Sequence, residues 1–178
     1  LESTRMIEDE GGQHVEIRIG YRRGGVMKCP EFGQTCPGYD HVQRTWRHID
    51  FIGVDAYIIS DVPRCECPRH GVRTLEVPWA GVHARYSFLF EQKAVTLMRR
   101  MPISKVAEFM RIGRTALENI LARHVDDALD RMDLSNVTRI LLDETSCRRG
   151  HRYITVIADA DTGGIIFMAP GKGKDGLA

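Results

Sequence analysis

Sulfur and imidazole are concentrated in one part of the sequence. Of five cysteines, Cys29, Cys36, Cys65 and Cys67 precede residue 70, with His41, His48 and His70 nearby. Two cysteine-bearing loops flanking a strand-rich stretch suit a structural zinc site, where thiolate and imidazole ligands close a tetrahedron. Disulfides are the competing use, and they belong to oxidising compartments. Cys67-Pro68-Arg69-His70 has the short spacing that sets two ligands on one side of an ion, whereas Cys29-Pro30-Glu31-Phe32 puts Phe where a second cysteine is expected. A carboxylate, Asp143, ends the apolar run Ile140-Leu141-Leu142. Taken alone, Asp143 is more simply a strand-end residue.

The elements that must position these groups read as an α+β chain of several modules. Residues 1–80 form a small β-rich, zinc-finger-like module: His14-Val15-Glu16-Ile17-Arg18-Ile19 alternates with period two after a Gly11-Gly12 turn, and residues 45–62 supply two strands beside the metal. Pro78-Trp79-Ala80-Gly81 reads as a linker. Residues 81–133 are helical. Ser87 is a candidate N-cap, with Phe90, Ala94, Leu97, Met98 and Met101 on one face. Pro102 ends that helix, Ser104 can cap a short second one through Val106, Ala107 and Met110, and a third begins near Arg114. Residues 138–178 open an α/β domain with strands, a Gly163-Gly164 turn and Asp143 on the first strand.

A long helix, a short helix, a tight turn and a further helix make the pattern of a helix-turn-helix. Val106, Met110, Ile112, Leu117 and Ile120 take its core positions, with Gly113 supplying the turn where Arg111 stands in place of the motif's frequent Gly. Arg114, Thr115, Glu118 and Asn119 then project from the recognition helix, with Arg123 and Arg100 near phosphates. A plain three-helix bundle shows the same apolar periodicity. The charge favours DNA: residues 93–123 hold seven basic side chains against Glu108 and Glu118, although the whole chain is only +1. With 43% apolar and 28% charged residues among 178, no membrane span and no charged-then-apolar leader, the composition is that of a cytoplasmic globular protein.

Three stretches, "CPEFGQTCPGYDHVQRTWRHIDF", "VPRCECPRHGVRTLEVPWA" and "LLDETSCRRGHRYITVIADADTGGII", resemble bacterial insertion-sequence transposases of the ISL-three group. The resemblance implies an N-terminal zinc finger, a helix-turn-helix and the start of an RNase H-like catalytic domain. It implies Cys29, Cys36, Cys67 and His70 as zinc ligands, with Cys65 as the replacement. It makes Asp143 the first acidic residue of an Asp-Asp-Glu triad and a magnesium ligand in the full-length protein. By resemblance, that protein would bind the terminal inverted repeats of its element as double-stranded DNA, as a homo-oligomer in the bacterial nucleoid, and cut and join strands. The second and third carboxylates would lie beyond Ala178, so this chain is expected to keep DNA binding and lack the chemistry. A zinc-dependent helix-turn-helix regulator and an inactive remnant are the alternatives. Cys147 with His151 is read as incidental, and residues 171–176 as loosely similar to a basic stretch of the family.

Overall fold

The computed structural model describes residues 1–21, 25–148 and 152–171. Two compact units divide it, Leu1–Ile120 and Leu121–Ala178. The Cys147 side chain, His151 and residues 172–176 lie outside the described parts. Among the described residues no helix is long and apolar enough to cross a membrane.

In the first unit, strands β1 (Ser3–Asp9), β2 (Gly12–Arg18), β5 (Gly38–Phe51), β6 (Val54–Cys67) and β7 (Gly71–Thr74) form one sheet, with β3 (Met27–Lys28) and β4 (Thr35–Cys36) as a separate ribbon. Strand order is β1-β2-β6-β5, with β7 also pairing β6; β2 and β6 run parallel and the other pairs antiparallel. The alternation read at residues 14–19 is that of β2, and the two strands expected over residues 45–62 are the paired halves of β5 and β6. Ile52 and Gly53 join them as a two-residue loop with φ of 53° and 82°, the paired positive values that a tight hairpin turn demands. Gly53 meets that demand freely; Ile52, β-branched, is strained there.

Trp46, Ile58 and Val62 are buried on one face of the sheet. The Pro78–Gly81 stretch is no free linker: Trp79 meets Trp46 edge to face at 5.6 Å, and Val77 and Ala80 are buried in the same cluster. Composition marks Pro and Gly as punctuation, but the apolar area of the intervening Trp is worth more buried than exposed.

Helices α1 (Phe88–Met98), α2 (Ile103–Met110) and α3 (Arg114–Asp130) follow. Phe90, Ala94, Val106, Met110, Leu117 and Ile120 make their shared core, with Ile112 packed against it. Ser87 caps α1 as its sequence position suggests, its Oγ accepting from Phe90 N–H at 3.2 Å. Ser104 does not cap α2, because the helix starts one residue before it with Pro102 at the N-cap. Gly113 does not make the turn either. The left-handed residue is Arg111 (φ 54°, ψ 41°), and Gly113 O instead accepts the first amides of α3, from Ala116 and Leu117.

What holds Arg111 in a conformation that favours glycine is the β5–β6 hairpin. Its guanidinium donates to Asp50 Oδ2 at 2.7 Å and to Asp55 Oδ1 from Nε at 2.9 Å. The same carboxylates receive Arg47, which is buried, donates to the carbonyls of His48 and Ala56, and lies over the rings of Tyr57 and Phe90 at 5.5 and 5.4 Å. Two further backbone bonds, Arg47 N to Arg85 O (2.9 Å) and Ser87 N to Arg47 O (3.0 Å), fasten the strand to the segment that enters α1. His48 Nδ1 sits 2.7 Å from the capping Ser87 hydroxyl; burial and the neighbouring Arg47 charge keep the His48 pKa below the ordinary imidazole value, so the neutral ring can accept that proton.

In the second unit, β8 (Ile140–Arg148), β9 (Arg152–Asp159) and β10 (Ile165–Pro170) form an antiparallel sheet ordered β10-β9-β8. Ile140, Leu141, Leu142, Ile165, Phe167 and Met168 are exposed on it.

Stability separates backbone from clamp at residue 111. Arg111→Ala and Arg111→Gly both lose the ion pairs, so their difference reports the left-handed conformation alone. Urea unfolding should find the Gly variant more stable by about 1 kcal/mol; equal midpoints would mean that residue 111 leaves this conformation once the clamp is gone.

Candidate metal centre and nucleic-acid interface

Two five-residue turns face one another. Cys29-Pro30-Glu31-Phe32-Gly33 follows β3, and Cys67-Pro68-Arg69-His70-Gly71 joins β6 to β7. Both close on a left-handed glycine, with φ of 68° at Gly33 and 69° at Gly71, where a side chain would be strained. In the first, Gly33 N–H returns to Cys29 O at 2.7 Å. In the second, the backbone amides of Arg69 and then His70 point at the Cys67 sulfur and draw its pKa down to about 6, as expected of a thiolate cradle.

Cys29, Cys67 and His70 bring their ligand atoms within 4.8 Å of one another. His70 Nδ1 is 3.6 Å from Cys29 Sγ and 3.5 Å from Cys67 Sγ. A tetrahedral ion with sulfur at about 2.3 Å and nitrogen at about 2.1 Å separates two such ligands by about 3.6 Å. The donors are therefore spaced for zinc. Cys36 and Cys65 are buried in the same cluster, and none of these four thiols is in a disulfide. Cys36 Sγ donates to Gln34 O at 3.4 Å, and Pro37 O accepts from Glu66 N–H at 3.0 Å, which lays Cys36 alongside Cys67. Burial and then that neighbour push the Cys36 pKa up to about 11.

Phe32 is 56% exposed, with the Arg69 guanidinium 4.8 Å from its ring centroid. Sequence reading missed Glu31, whose carboxylate accepts from Arg73 Nε at 2.5 Å and lies 3.6 Å from His70 Nε2. The signal was present in the repetition of Cys-Pro-X-X-Gly at 29–33 and 67–71, which sets residue 31 against residue 70.

Leu117 and Ile120 are buried in the helical core, which leaves Arg114, Thr115, Glu118 and Asn119 exposed on the first turns of α3. Arg114 Nε donates to Glu118 Oε1 at 2.8 Å; such an exposed i,i+4 pair is weak and readily exchanged for another partner. Arg100, just past the end of α1, and Arg123, on α3, are exposed as well. Asp143 is exposed on β8, its Oδ1 accepting from Glu144 N–H at 2.9 Å. It pairs with Val156, so its face of the sheet carries Leu141, Thr145, Ile154 and Ala158 and, among the described residues, no second carboxylate. Asp159 pairs with Ile140, three positions away and thus on the other face. Its carboxylate is held in the turn by the Thr162 hydroxyl at 2.6 Å and by Asp161 N–H, which lower its pKa.

Residues 25–70 match the zinc-finger of transposases IS204, IS1001, IS1096 and IS1165, and residues 75–125 match the helix-turn-helix domain of transposase family ISL3. The transposase for insertion sequence element IS1557 of Mycobacterium tuberculosis is 33% identical over 179 residues, 98% of this chain and 40% of that protein. The transposase for element IS1001 of Bordetella parapertussis is 24% identical over 154 residues, 84% of this chain and 37% of that one. The chain thus spans about two-fifths of the length of the curated relatives it matches. No solved structure matches it.

The ligand spacing generates a direct test. Purified chain should bind one equivalent of zinc or cobalt(II), the latter with the intense visible bands of tetrahedral thiolate coordination, and Cys67→Ser or His70→Ala should abolish them. Full metal content in either variant would remove that residue from the site.

Proposed function

Because the chain belongs to the ISL3 transposase family by its zinc-finger and helix-turn-helix domains, we propose that it binds the terminal inverted repeats of an insertion sequence as double-stranded DNA. The observation that carries this reading is the helix-turn-helix core, which fixes α3 by Leu117 and Ile120 and turns Arg114, Thr115, Glu118 and Asn119 outward together. In this role those side chains read base edges in the major groove, while Arg100 and Arg123 meet phosphates. Structural zinc on Cys29, Cys36, Cys67 and His70 joins the β3–β4 ribbon to the end of β6, with Cys36 in the fourth position because it lies beside Cys67. The full-length protein would cleave and transfer DNA strands with magnesium in an RNase H-like domain opened by β8–β10. Asp143 would be the first of its carboxylates, the protein acting as a homo-oligomer on DNA in the bacterial nucleoid.

Binding is tested with duplexes selected by the chain from a random pool. Arg114→Ala and Asn119→Ala should each weaken the selected duplex by about 1–3 kcal/mol and random duplex little, whereas Arg100→Ala and Arg123→Ala should weaken both and lower the salt slope by about one. Equal losses on both duplexes for all four would argue against a recognition helix at α3. Strand cleavage has a separate expectation: with no second carboxylate on the Asp143 face, the 178-residue chain should not nick supercoiled plasmid in magnesium or manganese. Nicking that disappears in Asp143→Ala would contradict it.

A further inference from the structure

His70 presents its two ring nitrogens to different partners. Nδ1 faces the sulfurs of Cys29 and Cys67 at 3.6 and 3.5 Å, and Nε2 faces Glu31 Oε2 at 3.6 Å. The other Glu31 oxygen is anchored by Arg73 Nε at 2.5 Å, so the carboxylate is itself held in place. An imidazole nitrogen that ligates a metal offers its lone pair, and the proton must then sit on the other nitrogen. A carboxylate facing that N–H fixes the tautomer and the ring plane and makes the ligating nitrogen more basic. At 3.6 Å the two groups face one another at a distance longer than a formed hydrogen bond.

The two opposed turns explain why this carboxylate is where it is. The turn at 67–71 supplies two ligands, Cys67 and His70. Its counterpart at 29–33 supplies one, since Phe32 stands at the position matching His70, with the two rings 6.2 Å apart. Glu31 and Phe32 therefore both lie against the ligand of the opposite turn. We propose that Glu31 is the positioning residue of the metal site, its carboxylate holding His70 Nε2–H so that Nδ1 is aimed at the ion. The turn that contributes only one sulfur thus contributes the group that orients the imidazole. This inference rests on the reading that Cys29, Cys67 and His70 hold zinc.

The test is a double-mutant cycle on the full chain, with zinc and cobalt(II) affinities measured by competition against a chromophoric chelator. Glu31→Ala should weaken metal binding about ten- to a hundredfold, the usual worth of an outer-shell carboxylate, and Glu31→Gln less. The cobalt bands from sulfur should keep their intensity, because the thiolates remain. In a His70→Cys background, Glu31→Ala should change the affinity little, since a thiolate has no second nitrogen to hold. Nitrogen NMR of the zinc-loaded chain gives a readout that does not require the His70→Cys variant to fold: the His70 Nε2–H should be protected from exchange in the native chain and lose that protection in Glu31→Ala. Undiminished affinity in Glu31→Ala, or the same loss in both backgrounds, would overturn the proposal and leave Glu31 a structural part of its turn. A native chain that takes up neither metal would instead overturn the zinc reading and the positioning role with it.

Discussion

A guanidinium taken out of water must find replacements for every bond it gives up, and the sites that satisfy Arg47 define the first unit. Its donors go to two backbone carbonyls and two carboxylates, and its faces to Tyr57 and Phe90. Those groups come from β5, from β6 and from α1, so burying this one charge requires the hairpin and the first helix to be in their native places together. Asp50 and Asp55 keep about a quarter of their surface in water, so each pair is worth less than a fully buried one. The constraint nonetheless favours the packing of sheet on helix in which all of these partners are met together.

Arg111 extends the constraint to the helix-turn-helix. It uses the same two aspartates from the other side, and it is the residue at which the chain reverses between α2 and α3. Asp50 and Asp55 are thereby matched by Arg47 and Arg111, and the hairpin end carries two carboxylates without leaving either unpaired. Glycine would make the turn with less backbone strain, but it would not bind the hairpin. The turn that leads into α3 is tied to the hairpin by side-chain charge at a position where the backbone preference points the other way.

Much of this was legible in the sequence, for reasons that differ by element. The helical core could be read because Phe90, Ala94, Val106, Met110, Leu117 and Ile120 repeat at helical spacing, and periodicity depends only on local geometry. The β5–β6 pair could be read because it is rich in β-branched and aromatic residues. Cys67-Pro68-Arg69-His70 could be read because both candidate ligands lie within one turn. What could not be read were contacts between residues far apart in sequence whose types are ordinary on any surface: Arg111 with Asp50 and Asp55, Glu31 with His70, Trp79 with Trp46. Ser104 misled because a capping residue type just after Pro102 is a good local signal, yet Pro102 itself holds the N-cap position and the helix already begins at Ile103.

The candidate metal centre and the helix-turn-helix are tied to opposite ends of a single strand. β6 starts beside Asp55, at the clamp, and ends on Cys67, at the candidate metal, a run of about 40 Å at 3.3 Å per residue. Between these ends it is paired on both edges, by β2 and β5, and it carries Ile58 and Val62 of the sheet core. The β3–β4 ribbon has no such support: it pairs two residues with two, and its buried contacts are the thiols themselves with Met27 and Leu75. Losing the ion would leave buried sulfur with no ligand to satisfy, in a ribbon too short to hold itself together. The Trp46 cluster and the helical core do not depend on that ion for their packing. Zinc bound there would organise residues near the Cys29 and Cys67 turns, while the arginine–aspartate clamp ties the turn that leads into α3 to the far end of the strand.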